Sequence, residues 1–501
     1  MNAIYLCCIS EPWIEVANQL MSRYQIKPRY FVHWSKESSN FTSNKFPNCF
    51  FQSVEDAWKG VGFPTDFGKI FLDEELIQRI AWYELIAIKM MDRLDPTGNN
   101  FPFNNRQYFF HDLICHWLAV VKKFEIKLVI SPSIPHRVFD YALYVVCKLL
   151  NLEFISFEMT PFENTSILID NLDALPVYSQ ASSSYKRTLS NSILKRINQV
   201  KSDYSLAKPF YMIEQDKKSR IGFQTFTKLL SVSTKLPKLI LSSPNTYWVQ
   251  KSKMPQDTQF GWIEYYFLKI RCWFRVHKFR MMYKELVSTQ IDQPFVLVAL
   301  HYQPEATSSP TGGSYVDQIL ILQVLHETLP QNVKIVIKEH QSQFYSHLES
   351  AQGRNLYFYK RIRQVSDRVI FAPVEYDPFK LVDEAIATIT ISGTIGWESA
   401  IRGTPAIIFG RAWYEGMPRV IKVKTKGDLR KALVQVQKLK NIDLDDEILN
   451  FHKFIENLSI KAIHYKSYAL RGGMTISESV KNICEKIFYH LGEKGYFAHD
   501  R

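Results

Sequence analysis

The fold is decided by the stretch Ile389-Thr-Ile-Ser392-Gly-Thr394-Ile-Gly-Trp-Glu398-Ser-Ala-Ile-Arg402-Gly-Thr-Pro-Ala-Ile-Ile-Phe-Gly410. An apolar strand runs into Ser392-Gly393-Thr394, and a helix begins at once. Small residues at such a turn let a ligand approach the backbone, and the unpaired N–H groups of the helix start attract phosphate. Glu398 follows Thr394 by four residues, so both lie on one helix face. A carboxylate there is placed to accept hydrogen bonds from ribose hydroxyls. A plainer reading makes Ser392 an N-cap and pairs Glu398 with Arg402 at i,i+4. Both readings stay open at this point.

Working outward, the pattern repeats. Strands are predicted at 295–300, 334–338, 368–371, 387–391, 406–409 and 420–423, with helices at 314–328, 355–365, 378–385, 394–401 and 428–439. Strands alternating with helices over about 150 residues make a Rossmann-like, doubly wound domain. The first third alternates in the same way. It has strands at 3–9, 29–34, 127–130 and 153–157, and helices at 11–23, 74–93, 108–123 and 137–150, as βαβ units require. Residues 181–290 carry few strand signals and read as a helical, basic and aromatic insertion. The expected organisation is a Rossmann-like domain over 1–180, that insertion, a second Rossmann-like domain over 291–440, and a helical tail over 441–501. Two such α/β domains in one chain are the GT-B architecture, which does not by itself establish a chemistry.

Composition narrows the class. Of 501 residues, 46% are hydrophobic and 22% charged, which fits folded domains and excludes a disordered chain. Lys and Arg number 62 against 49 Asp and Glu, so the net charge of +13 suits an anionic partner. The basic residues are dispersed and no nucleic-acid-binding module is present, so no nucleic-acid partner is expected. Seven scattered cysteines without a C-x-x-C pair point to free thiols in a reducing cytoplasm. The first residues read as a strand rather than a signal peptide, and no apolar run is long enough for a transmembrane helix.

Two further loops carry candidate residues. Leu300-His301-Tyr-Gln-Pro-Glu305 leaves a strand at the edge where open α/β sheets bind ligands, and Gly312-Gly313-Ser314 downstream could form an anion-binding nest. Lys338-Glu339-His340 ends another strand with three ionisable residues in a row. Each loop also has a structural reading, as a polar surface turn or an ion pair. All three would converge on one rim of one sheet.

From His301 to Tyr414 the chain resembles bacterial capsular-polysaccharide and surface-carbohydrate biosynthesis proteins. The matching elements are His301-Tyr-Gln-Pro-Glu305, Gly312-Gly313, Lys338-Glu339-His340, Ser392-Gly393-Thr394-Ile-Gly-Trp-Glu398 and Phe409-Gly-Arg411-Ala-Trp-Tyr414. Pro135-His136 and Asp140-Tyr141 extend the likeness loosely into the first domain. The wider group includes β-Kdo transferases that use CMP-linked ulosonic acids. The resemblance therefore implies a GT-B glycosyltransferase that moves a sugar from a nucleotide donor to a surface or capsular polysaccharide. It implies that Lys338, His340, Ser392, Gly393, Thr394 and Glu398 hold the donor nucleotide. His301, Gly312, Gly313 and Arg411 would form the phosphate or sugar loop, with catalytic roles for His136, Glu305 and His340. The family's His-Pro motif is not kept, because Gln341 follows His340. No cofactor and no metal are expected, the nucleotide sugar being a co-substrate. The acceptor would be a glycan or lipid-linked glycan, met in the cytoplasm at the inner face of the membrane. Residues 262–284 would make the peripheral contact. Asp140 and Glu158 compete with His136 as the general base. A nucleotide-sugar 2-epimerase and a non-catalytic assembly subunit are the competing readings.

Overall fold

The computed structural model describes residues 1–8, 10–33, 44–66, 70–95, 101–175, 178, 188–220, 262–291, 294–345, 353–465 and 473–497. The middle of the expected insertion, residues 221–261, lies outside them. The strands are β1 (Asn2–Tyr5), β2 (Lys27–His33), β3 (Phe50–Ser53), β4 (Leu128–Ile130), β5 (Glu153–Met159), β6 (Thr165–Ile169), β7 (Phe295–Ala299), β8 (Lys334–Lys338), β9 (Val369–Phe371), β10 (Thr388–Thr390), β11 (Ala406–Ile408), β12 (Val420–Lys422) and β13 (Ser459–Lys461).

They form two sheets. The first has the order β13-β6-β5-β4-β1-β2-β3, with β1 to β5 parallel and β6 and β13 added antiparallel at one edge. The second has the order β12-β11-β10-β7-β8-β9 and is parallel throughout. Read from β9, the second sheet is the doubly wound order 3-2-1-4-5-6, which reverses direction between β7 and β10. The first sheet reverses likewise between β1 and β4. The architecture is the expected pair of Rossmann-like halves.

Strands of the second sheet form where β-branched residues cluster, as in Phe295-Val-Leu-Val-Ala299 and Lys334-Ile-Val-Ile-Lys338. Helices between them begin on polar caps: Asn355 accepts from the Phe358 N–H, Asp377 from the Phe379 N–H, and Thr425 forms a capping box with Asp428. Three strands escape the sequence reading. β3 and β6 are short, and β13 lies within the tail that reads as helical. β13 pairs with β6, and the helix Ile476–Glu493 packs on the helix Glu11–Tyr24, so the tail closes the first half.

One continuous core joins the halves. The core under the first sheet runs on into Trp397, Trp413 and Tyr414 of the second. Trp397 and Trp413 lie 5.6 Å apart, and the ring of Phe162 stands edge-on to both, at 5.9 and 5.7 Å. The helix Trp262–Leu286 packs on the second sheet through Val276, Phe279 and Tyr283. Between residues 270 and 286 the outward face mixes cations with apolar side chains: Arg271, Phe274, Lys278, Met281 and Lys284 point outward. Side chains 262–269, including Tyr265, Tyr266, Phe267 and Lys269, lie outside the described residues. Among the described residues no helix is long and apolar enough to cross a membrane.

Candidate active site

His301 follows β7 and Ser392 follows β10, so both stand at the switch point of the second sheet. The His301 ring joins the two loops. Its Nε2 lies 2.9 Å from Thr390 Oγ1 and accepts from the Ser392 N–H at 3.3 Å, while Nδ1 lies 3.3 Å from Thr307 Oγ1. Burial, then the nearby His340 and Arg354, push its pKa down to about 3, so the ring is neutral. His301 is thus a brace that sets the loop positions. Ser392 does not cap the helix Thr394–Ile401. The cap is Gly393, and the Ser392 hydroxyl donates to the Thr307 carbonyl. The exposed Thr394 opens that helix, and no side chain among the described residues caps its first N–H groups.

The second loop separates into a foundation and a working edge. Glu339 is fully buried and receives Arg354 at 3.0 Å and the Tyr359 hydroxyl at 2.8 Å. Arg354 also donates to Gln303 Oε1 at 2.6 Å and to the His301 carbonyl at 2.9 Å, tying the loops after β7 and β8 together. Sequence reasoning missed Arg354, because nothing in the local pattern around it signals a partner fifteen residues back. His340 is half-buried. Its Nδ1 accepts from the Ser342 N–H at 3.2 Å, which leaves the ring proton on Nε2 as a donor. Burial above all, opposed by Glu339 and reinforced by Lys338, lowers its pKa to about 4. Lys338 donates to the Val374 carbonyl, and burial lowers its pKa to about 8.

Glycines allow the rim to close. A Cβ on Gly312 would meet the Ser308 carbonyl at 2.4 Å, and Gly313 has φ +52°. Arg411, on the loop after β11, is 3% exposed and reaches across to Glu158 on β5, with Nη1 2.5 Å from Oε2. Among the described residues its Nε and Nη2 have no hydrogen-bond partner. Glu158 is accordingly an ion-pair partner between the sheets.

From the first sheet, the loop after β4 brings His136 to a cavity of about 320 Å³ lined by Trp58, Arg93, His136, Arg137, Pro304, Glu305 and Ala306. His136 and Glu305 thus line one cavity although 169 positions separate them in the chain. The His136 Nδ1 lies 2.6 Å from the Ile134 carbonyl, which places its proton there and leaves Nε2 as the basic nitrogen. Burial raises the Glu305 carboxyl, while Thr307 and Arg93 pull it back. Asp140 does not face the cavity. It is completely buried, bonded to the Arg137 backbone N–H at 2.6 Å and to its guanidinium at 3.3 Å. Between them Val138 adopts φ +68°, ψ −61° with an Arg137 carbonyl to Phe139 N–H bond, a strained γ-turn of about 1–3 kcal/mol.

Glu398 does not pair with Arg402, which binds Asp383 instead. It is 4% exposed beneath Arg196, 3.9 Å away, and burial raises its pKa to about 7 against the pull of Arg196 and Arg402. Glu153, Asp170 and His490 also lie close enough together to suggest a metal cluster. They sit at the far end of β5, however, and Lys494 holds Asp170 at 2.8 Å.

Residues 285–418 match the family model of the capsule polysaccharide biosynthesis proteins. The family resemblance holds over that segment. It contains every second-sheet residue described above, from His301 to Arg411. A search of curated proteins finds no match. Among solved structures, the β-Kdo 2,7 transferase KpsC of Thermosulfurimonas dismutans is similar at 8% identity and TM-score 0.29, over 85% of this chain and 89% of that one. The UDP-GlcNAc 2-epimerase of Neisseria meningitidis, bound to UDP-GlcNAc, is similar at 12% and 0.22, over 91% and 99%. A glycosyltransferase of Rickettsia africae ESF-5 is similar at 10% and 0.26, over 98% of both chains. The architecture rests on the strand orders of the two sheets.

Proposed function

We propose that this protein is a metal-independent glycosyltransferase of capsular or surface polysaccharide assembly. The observation that carries the reading is the family match over 285–418, whose motif residues line one rim of the second sheet. In this reading the donor nucleotide lies against His340, Lys338, Ser392, Gly393 and Thr394, with the Gly312-Gly313 turn and Arg411 beside it. The bond from the anomeric carbon to the phosphate oxygen breaks, and the oxygen leaves with the electron pair. Fixed N–H groups, the His340 Nε2–H and the cations of Lys338 and Arg411 stabilise the charge that develops on it. The acceptor hydroxyl attacks the anomeric carbon and passes its proton to His136 Nε2, with Glu305 across the same cavity as the other candidate base. Glu398 reaches a donor ribose only if Arg196 is displaced. A CMP-linked ulosonic acid is one donor this reading admits. The cationic outer face of the helix Trp262–Leu286 would rest on the cytoplasmic face of the membrane, near a lipid-linked acceptor.

Nucleoside mono- and diphosphates should raise the melting temperature, since a ligand of the folded state stabilises it. Arg411→Met should abolish that rise while the unliganded protein still melts cooperatively. Transfer should persist in EDTA. A rise that survives Arg411→Met, or a loss of turnover in EDTA that magnesium or manganese restores, would overturn the assignment.

A further inference from the structure

The segment that leaves the first half crosses the donor rim. Tyr204 packs edge-on against Phe379 at 5.3 Å, at the start of the helix after β9. Twelve residues on, the helix Phe210–Arg220 lies against the loop after β8: Gln215 accepts from the Ser342 hydroxyl at 2.8 Å, and Asp216 accepts from the Tyr345 hydroxyl. Ser342 is the residue whose N–H fixes the His340 ring. Between these anchors stands Lys208, whose largely buried ammonium is held by Asp216.

Lys208, Lys338, the His340 Nε2–H and the Tyr345 hydroxyl gather on this rim. The neighbouring carboxylates are engaged: Glu339 by Arg354 and Tyr359, Glu375 by Arg280, and Asp377 as the cap of the helix Pro378–Glu384. Asp216 answers Lys208 and Tyr345 together. A carboxylate that bridges a lysine and a hydroxyl beside a histidine N–H mimics the oxygens of a phosphate.

We propose that residues 203–217 form a strap over the donor site, that Lys208 binds a phosphate oxygen of the nucleotide, and that Asp216 occupies this position while the site is empty. The phosphate displaces the Asp216 carboxylate from Lys208, so the strap opens and re-forms around the donor. The proposal rests on the reading of the His340 loop as the donor site. Burial lowers the proton affinity of Lys338 and His340, and the charge of Lys208 adds slightly to the lowering of both.

The test is calorimetric titration of the full chain with UDP, CMP and inorganic pyrophosphate, comparing wild type with Lys208→Met, Lys208→Arg, Asp216→Asn and His340→Ala. Lys208→Met should weaken binding at least fivefold, Lys208→Arg should restore most of it, and Asp216→Asn should tighten it by removing the competing carboxylate. A larger loss for UDP and pyrophosphate than for CMP assigns Lys208 to the outer phosphate of a diphosphate donor, and an equal loss assigns it to the phosphate all share. Unchanged affinity in Lys208→Met with weakened His340→Ala overturns the strap and leaves the donor site standing. Unchanged affinity in His340→Ala overturns the donor reading instead. Weaker binding by Asp216→Asn overturns the displacement step.

Discussion

Gly396 shows how a single residue sets the rim. It sits inside the helix Thr394–Ile401, where alanine would ordinarily add about 1 kcal/mol of stability. Here a Cβ would stand 2.5 Å from the Tyr414 hydroxyl, which itself donates to the Gly393 carbonyl at the helix start. Gly396→Ala should therefore destabilise the protein by about 1–3 kcal/mol, as overpacking does. Adding Tyr414→Phe should recover part of that loss, although Tyr414→Phe alone also costs stability. Urea unfolding of the four proteins measures the coupling, and a double variant no more stable than Gly396→Ala alone would refute the clash. The same tight packing explains why Ser392 and Gly393 are small. A Cβ on Gly393 would meet Thr390 Oγ1 at 2.9 Å and the His301 ring at 3.4 Å. Close approach of backbone to side chain is legible in a sequence only as an unexplained glycine.

At the scale of elements, the helix Trp262–Leu286 divides its residues by burial. Val276, Phe279 and Tyr283 recur at three- and four-residue steps and face the second sheet, where the Tyr283 hydroxyl donates to the Ala372 carbonyl at 2.8 Å. Arg271, Lys278 and Lys284 lie outward beside Phe274, which is 62% exposed, and Met281, which is 66% exposed. Cations attract anionic headgroups at on the order of 1 kcal/mol each, and the apolar side chains enter the interface. The protein should sediment with vesicles containing anionic lipid at low salt and much less at high salt. A variant with Arg271, Arg275, Lys278 and Lys284 changed to Gln should stay in the supernatant. Equal pelleting of the two proteins would make the outer face an ordinary solvated surface. The tail is read as helical and packing back on the domains; the helix Ile476–Glu493 covers the helix Glu11–Tyr24, and β13 is a strand that completes the first sheet.

Across the whole molecule, buried neutral histidines tie segments together and make the fold acid-sensitive. His452 accepts from the Trp397 indole N–H at 3.0 Å and lies 2.6 Å from the Ile448 carbonyl, joining the tail helix Asp445–Leu458 to the site helix. His464 lies 2.7 Å from the Ser166 hydroxyl and stacks on Trp13. Burial lowers the pKa of His301 and His464 to about 3, and of His340 and His452 to about 4. Unfolded histidines take up protons below about pH 6.5, whereas these do not in the fold. Their contribution to stability is therefore fully present above that pH and is lost as pH falls toward 4. Glu398, raised to about 7, works in the opposite sense, because the fold binds its proton where the unfolded chain does not. The histidines outnumber it, so the free energy of unfolding should fall between pH 6 and 4.5. His452→Gln, which keeps an acceptor for Trp397, should reduce that slope by about one proton. An unchanged slope would mean that His452 does not contribute.

The sequence alone determined the two alternating βαβ patterns, the site-bearing turn at Ser392-Gly393-Thr394 and the family likeness. All of these are local, carried by residues within a few positions of one another. β8 and the helix Thr394–Ile401 fall where the pattern places them because β-branched runs and helix starts encode themselves. Tertiary structure decided which charged residues support the site and which are left to work in it. Glu339 became the foundation through Arg354, Asp140 was taken by Arg137, and Glu158 by Arg411. It also brought His136 to Glu305 across the cavity between the sheets and turned three short segments into strands. The reason is physical: a charge is committed by whatever partner burial places beside it. A three-residue strand is stabilised by its neighbours in the sheet rather than by its own composition.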